Sequence, residues 1–169
     1  MPLRGGCCVP GSFDVRPHMT SWLAEIRRLV ESSSNAEVAV GASEAEIEAA
    51  EAALGVRFPP QFRAYLSEFG YLSIAHCEFN GLGAGVPEHV NLVRETLAER
   101  EMFRPYIPIH LLPLENNGAG DHFCIDLTAG LEDPPVVFWS HDEDESQTPE
   151  PESDRFSSWL LERVSENVA

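Results

Sequence analysis

Positive charge is what this sequence has least of. Eleven Lys and Arg residues stand against 28 Asp and Glu, for a formal charge of −17 and a pI near 4.5. Such a field repels nucleic-acid backbones and anionic lipid surfaces and attracts basic partners, so neither nucleic acid nor membrane is an expected target. Surplus acid also serves solubility, so charge alone names no partner. Long apolar runs are missing as well. Nothing approaches the roughly 20 apolar residues of a membrane span, and residues 1–17 lack the continuous apolar stretch of a secretory signal. The run Leu3-Arg4-Gly5-Gly6-Cys7 has the outline of a lipobox with no apolar segment ahead of it. Cysteines number four, Cys7, Cys8, Cys77 and Cys124, and their spacing builds no disulfide framework. Reduced thiols and a cytoplasmic setting are therefore expected.

The chemistry-bearing motifs are equally sparse. Zinc takes four ligands, usually in close pairs, whereas His76-Cys77 and His122-x-Cys124 are the nearest pairs here and lack a matching second pair. His110 and His141 stand apart from both. A thiol nucleophile at Cys77 would need His76 as its base, but adjacent residues on a strand point to opposite faces. Cys124 beside His122 shares a face with it, yet a small buried thiol is the commoner fate of such a residue. The glycine-rich stretch Gly118-Ala119-Gly120-Asp121 precedes a strand rather than a helix and carries no P-loop lysine. Asp121 is expected to cap turn amides. The acidic run from Asp142 lacks the regular ladder of a calcium loop. No catalytic residue, metal ligand or cofactor is assigned, and a small metal- or thiol-dependent hydrolase is the rival reading.

What is present is a periodic chain. A length of 169 residues suits one domain with a tail: a leader over residues 1–18, broken by Pro2, Pro10, Gly11 and Pro17, then one domain over residues 19–169. Periodic sequence begins after Met19, which is the expected natural start. Trp22, Ile26, Leu29 and Val30 recur at helical spacing from Thr20 or Ser21 to Ser32. Ser43 and Glu46 form a capping box that opens a second helix with an inner stripe of Ile47, Ala50 and Leu54, closed by Gly55. Phe58-Pro59-Pro60 leads into a third helix lined by Phe62, Tyr65, Leu66 and Phe69 and stopped by Gly70.

After Gly70 the pattern turns to strands. Residues 71–75 and 77–79 read as strands followed by an Asn80-Gly81 turn. Residues 87–100 read as a charged helix with Val90, Val93, Leu97 and Met102 inward. Residues 107–114 read as an edge or irregular strand because of Pro108 and Pro113. Residues 121–127 alternate as a strand with His122, Cys124 and Asp126 on one side, and residues 136–139 form a buried strand. An acidic loop over residues 142–154 follows, then a helix holding Phe156, Trp159, Leu160 and Val164. Helices first, then strands with one helical interruption, then a closing helix is an α+β order, with a sheet as the surface the helices need. Trp22, Ile47, Leu54, Phe62, Leu66, Phe69, Phe138 and Trp159 are the expected core.

Several strings in this order resemble the SUKH superfamily of Smi/Knr-like domains. They are Glu51-Ala52-Ala53-Leu54-Gly55, the link Phe58-Pro59-Pro60 into Phe62-Arg63-Ala64-Tyr65-Leu66, and Phe79-Asn80-Gly81-Leu82. Gly120-Asp121-His122-Phe123-Cys124-Ile125-Asp126-Leu127, Pro135-Val136-Val137-Phe138-Trp139-Ser140-His141 and Phe156-Ser157-Ser158-Trp159-Leu160 complete the set. The resemblance implies a twisted, mostly antiparallel sheet flanked by helices, and a family of protein-binding modules with no shared catalytic motif. Most bacterial members are immunity proteins against polymorphic toxins, and fungal members act in cell-wall assembly control. The implied partner is a cognate toxin, with a nuclease-type basic cleft as one form. A regulatory or scaffold role is the alternative. The expected contact surface is Trp139 as aromatic anchor, His141, Asp142, Glu143, Asp144, Glu145, Glu150 and Glu152, with Gly81 and Gly83 secondary. Oligomeric state is not legible.

Overall fold

Helices and strands follow each other in blocks in this computed structural model, which describes residues 21–169. The expected leader and the start at Met19 lie outside the described residues. In order come α1 (Ser21–Ser32), β1 (Ala36–Val38), α2 (Glu44–Leu54), α3 (Pro60–Phe69), β2 (Leu72–Ile74) and β3 (Cys77–Phe79). A 3₁₀ turn (Glu88–Val90) leads to α4 (Leu92–Glu101), then β4 (Leu111–Asn116), β5 (His122–Asp126), β6 (Val136–Trp139), β7 (Glu150–Ser153) and α5 (Phe156–Asn167). All seven strands pair antiparallel in sequence order, so the sheet is a meander with helices inserted after β1 and β3. The architecture is α+β, as the element order predicts.

Local chemistry accounts for most of the helix ends. Ser43 Oγ accepts from the Glu46 N–H at 3.3 Å while Glu46 Oε2 accepts from the Ser43 N–H at 2.7 Å, so the capping box is complete. Gly55 closes α2 at φ 67°, the left-handed conformation a Cβ disfavours. Pro60 starts α3, where its missing N–H costs nothing. Arg100, pushed down by burial, ties α2 to the turn before β4 by donating to Leu54 O at 2.9 Å and Ile109 O at 2.7 Å.

The main core lies between one face of the sheet and α1, α2, α3 and α5. Phe156 sits at its centre, with Trp22, Phe62 and Tyr65 edge-on at 5.7, 5.6 and 5.9 Å. Each such pair adds about 0.5–1.5 kcal/mol beyond the area it buries. The expected core residues are buried here except Phe138, which is half-exposed near the edge and meets Phe123 edge-on at 5.4 Å. The opposite face carries a smaller cluster of Ile107, Leu111, Cys124, Val137 and Trp139.

Three readings of the strand region change or narrow. The β2–β3 hairpin turns at Ala75 and His76, with Ala75 at φ 52°, and the Asn80-Gly81 pair expected to turn the chain after β3 instead leads into a parallel bridge from Gly81 to Asn91. Asn80 is buried and spends its amide on Pro113 O at 2.9 Å. Of the two alternatives for the Pro-bearing strand, β4 is the irregular one and not an edge: it is interior, and Pro113 sits at a bulge, where a strand tolerates a residue that donates no hydrogen bond. That bulge resets the alternation so that Glu115 pairs across from Phe123 and meets Arg163 of α5, whose Nε donates to Glu115 Oε2 at 3.1 Å. Finally, α4 starts at Leu92 and leaves Met102 at 71% exposure, because Leu92 and Thr96 rather than Met102 face inward.

Candidate protein-binding surface

Among the described residues, the two thiols, Cys77 and Cys124, are both buried. Burial pushes the Cys124 thiol far up, and it pushes Cys77 to about 11. The Cys124 Sγ lies 3.9 Å from the His122 carbonyl, while the His122 ring turns its Nε2 to Glu99 Oε1 at 3.3 Å. Among the described residues, no group of three or more His, Cys, Asp and Glu is placed to hold a metal ion.

The acidic loop after β6 is exposed and braced. Asp142, Glu143, Asp144 and Glu145 all reach solvent. Gln147 folds its amide back on Ser140, accepting from its N–H at 3.1 Å and donating to its carbonyl at 2.8 Å, which continues the strand pairing through a side chain. Asp144 accepts from the Ser146 N–H at 2.7 Å, and Arg104 donates to Glu145 at 2.9 Å while lying over the Tyr106 ring at 4.6 Å. At the other end, Asp121 Oδ1 accepts from the His141 N–H at 2.9 Å and meets the ring Nδ1 at 2.7 Å. Asp121 therefore clamps the loop rather than capping the glycine turn. The turn amides go instead to Asn116, which takes Gly118 N–H at 2.7 Å, and Asn117, which takes Ala119 N–H at 2.8 Å. Burial pushes the Asp121 carboxyl up, but the hydrogen bonds from His141 and Asn117 outweigh it and hold it at about 2. The His141 imidazole is raised, chiefly by its hydrogen bond to Asp121.

Several expected contact residues stand elsewhere. Trp139 is 2% exposed, its ring packed in the smaller cluster, and it offers a partner no aromatic anchor. Gly81 is buried: its N–H goes to Val90 O and its carbonyl takes Leu92 N–H, both at 2.9 Å, in a parallel bridge to the start of α4. Gly83 is half-buried against Ala42. A family model described as SMI1-KNR4 cell-wall matches residues 19–165, a range that contains all the strings that suggested the superfamily. The chain belongs to the SUKH superfamily. No curated protein matches it.

Within this SUKH fold, Glu150 and Glu152 sit on β7, an exposed edge, with Pro151 between them. The β6–β7 register shifts between Val136 and Val137. Charge, proline and a bulge together protect an edge against strand addition, so these two acids have a structural reason to be there. Phe103, 54% exposed beside Arg104, is the exposed aromatic nearest the loop's ion pair, and reading the region as a helix with Met102 inward hid it. Its signal was Pro105, which ends the helix early and leaves both apolar residues without a turn to pack on.

Proposed function

We propose that this SUKH chain is a non-enzymatic immunity protein that binds and neutralises a basic toxin domain. The observation that carries the reading is the exposed loop of residues 142–145, held in shape by Asp121–His141 at one end and Arg104–Glu145 at the other. A preformed acidic surface costs less to order on binding and steers a basic partner in from a distance. A nuclease-type toxin presents such a partner, since its groove holds a polyanion. The test is co-expression with any toxin domain found encoded at the native locus, followed by stopped-flow association of the purified pair. Neutralising the loop as D142N/E143Q/D144N/E145Q is expected to slow association about tenfold or more and leave the melting temperature nearly unchanged. An unchanged rate, or a toxin unaffected by the parent chain, refutes the reading.

The family description, with its reference to the cell wall, favours a second reading: a regulatory or scaffold module that holds a housekeeping partner. The two readings part at the native locus. A toxin recovered with the chain supports neutralisation, and a cell-envelope assembly protein supports the scaffold.

A further inference from the structure

The inner side of α4 faces a polar cleft that the acidic loop does not explain. A cavity of about 430 Å³ lies there, lined by Glu78, His89, Glu95, Asn116 and His122 among others, and no Lys or Arg lines it. A second cavity of about 320 Å³ shares Asn116 and His122 with it and adds Glu99, Phe103 and Arg104. Glu95 and Glu99 are one helical turn apart on the same side of α4, an unfavourable spacing for like charges. Burial and the nearby Glu99 charge both raise the Glu95 carboxyl. Glu99 meets only the His122 ring, and Glu95 has no ion-pair partner among the described residues. Arg94, whose charge acts on Glu95, is already spent on Glu88, and Arg104, which lines the second cavity, on Glu145.

An independent observation points the same way. His122 is 3% exposed, and its Nδ1 has no hydrogen-bond partner. The Glu99 carboxylate faces Nε2 at 3.3 Å, and Asn116 Nδ2 lies 3.5 Å from the same nitrogen. With the ring taken in the tautomer whose Nε2 donates to Glu99, Nδ1 is left as a lone-pair acceptor. An unfilled acceptor beside two carboxylates calls for positive N–H donors.

We propose that this cleft takes the arginine or lysine side chain of a basic peptide segment, with Glu95 and Glu99 as its counter-ions and Phe103 covering it at the rim. The proposal rests on the reading of the chain as a binder of a basic protein, and names where that partner inserts. The carboxylates are open to the guest directly. Nδ1 is sealed from solvent, so the guest reaches it only by spreading the walls. A guanidinium is the better fit, because its flat fork meets carboxylate and ring acceptors together and stacks on Phe103.

The test uses the ¹⁵N-labelled full chain titrated with N-acetyl-Gly-Arg-Gly-amide, its Glu counterpart, and spermidine. The arginine peptide is expected to shift the amides of Glu95, Glu99 and His122 and the indole signal of Trp139, assigned with W139F, in a saturable way. E95Q/E99Q weakens that binding about tenfold or more, and F103A weakens it less. E95Q alone removes no ion pair among the described residues, so it keeps the test decisive should the double variant fail to fold. Equal shifts from the Glu peptide, or shifts confined to residues 142–145, overturn the proposal. Shifts from spermidine with none from the peptide overturn the peptide as occupant. An E95Q/E99Q chain that loses the peptide yet protects cells fully shows that the toxin does not use this cleft, and leaves the immunity reading standing.

Discussion

At the residue scale, the Asp121–His141 pair decides how the acidic loop is presented. Asp121 takes the backbone N–H and the ring of the same histidine and is itself held by Asn117 at 2.7 Å, so one carboxylate joins the β4–β5 turn to the end of β6. The pH dependence follows from the two shifts. The Asp121 carboxyl is lowered from 3.8 to about 2, so its contribution is complete above the unfolded value and is lost as pH falls through about 2. The His141 imidazole is raised above 6.5, so its contribution is complete below that value and is lost as pH rises through the folded pKa. The clamp is therefore tightest in the acid-to-neutral window between them. NMR titration of the His141 ring is expected to give a midpoint above 6.5 that D121N moves back down, with faster amide exchange at residues 141–145. A ring that titrates identically in D121N would show that the clamp does not set its charge.

At the element scale, what the sequence revealed depended on whether an element buries a stripe of its own. α2, α3 and α5 were legible because each carries periodic apolar residues, and α2 also carries its cap and its stop. β7 was not, since Glu-Pro-Glu-Ser has no alternation and is a strand only because β6 offers it an edge. For β4 the sequence left an edge and an irregular strand open, because Pro113 reads as a breaker until the bulge that admits it is seen. Trp139 was misassigned for a related reason. An aromatic at a strand end beside acids looks like an anchor, and only the turn of the chain through Ile107 and Leu111 shows that it is covered. The acids of the proposed contact loop stood out in the sequence as a run, whereas Glu95 and Glu99 were passed over as the outer face of a charged helix. If β7 is protected rather than recruited for binding, E150T/P151V/E152T is expected to raise self-association in light scattering while partner affinity stays within about threefold. Lost partner binding without self-association would return Glu150 and Glu152 to the contact surface.

At the scale of the molecule, the imbalance of charge is sharper than its total suggests. Every cation is an arginine; the sequence has no lysine. Arg27, Arg28, Arg57, Arg63, Arg94, Arg104 and Arg163 are each spent on an acid of the same chain, and Arg100 on backbone carbonyls. These eight arginines brace the fold, and the acids they leave over project a strong negative field. Such a field acts in opposite directions on folding and on binding. Acids repel one another in the folded state, so shortening the screening length from about 10 Å at 0.1 M salt to about 3 Å at 1 M relieves that repulsion and stabilises the fold. The same screening removes the attraction that draws in a basic partner and slows association. Sodium chloride is therefore expected to raise the melting temperature of the free chain while lowering its association rate with the partner. The loop-neutralised variant should keep the first effect and lose most of the second, because the self-repulsion is spread over the surface and the steering is concentrated at residues 142–145. An association rate indifferent to salt would sink the steering mechanism, and a melting temperature that falls with salt would show that the arginine pairs outweigh the acids they leave over.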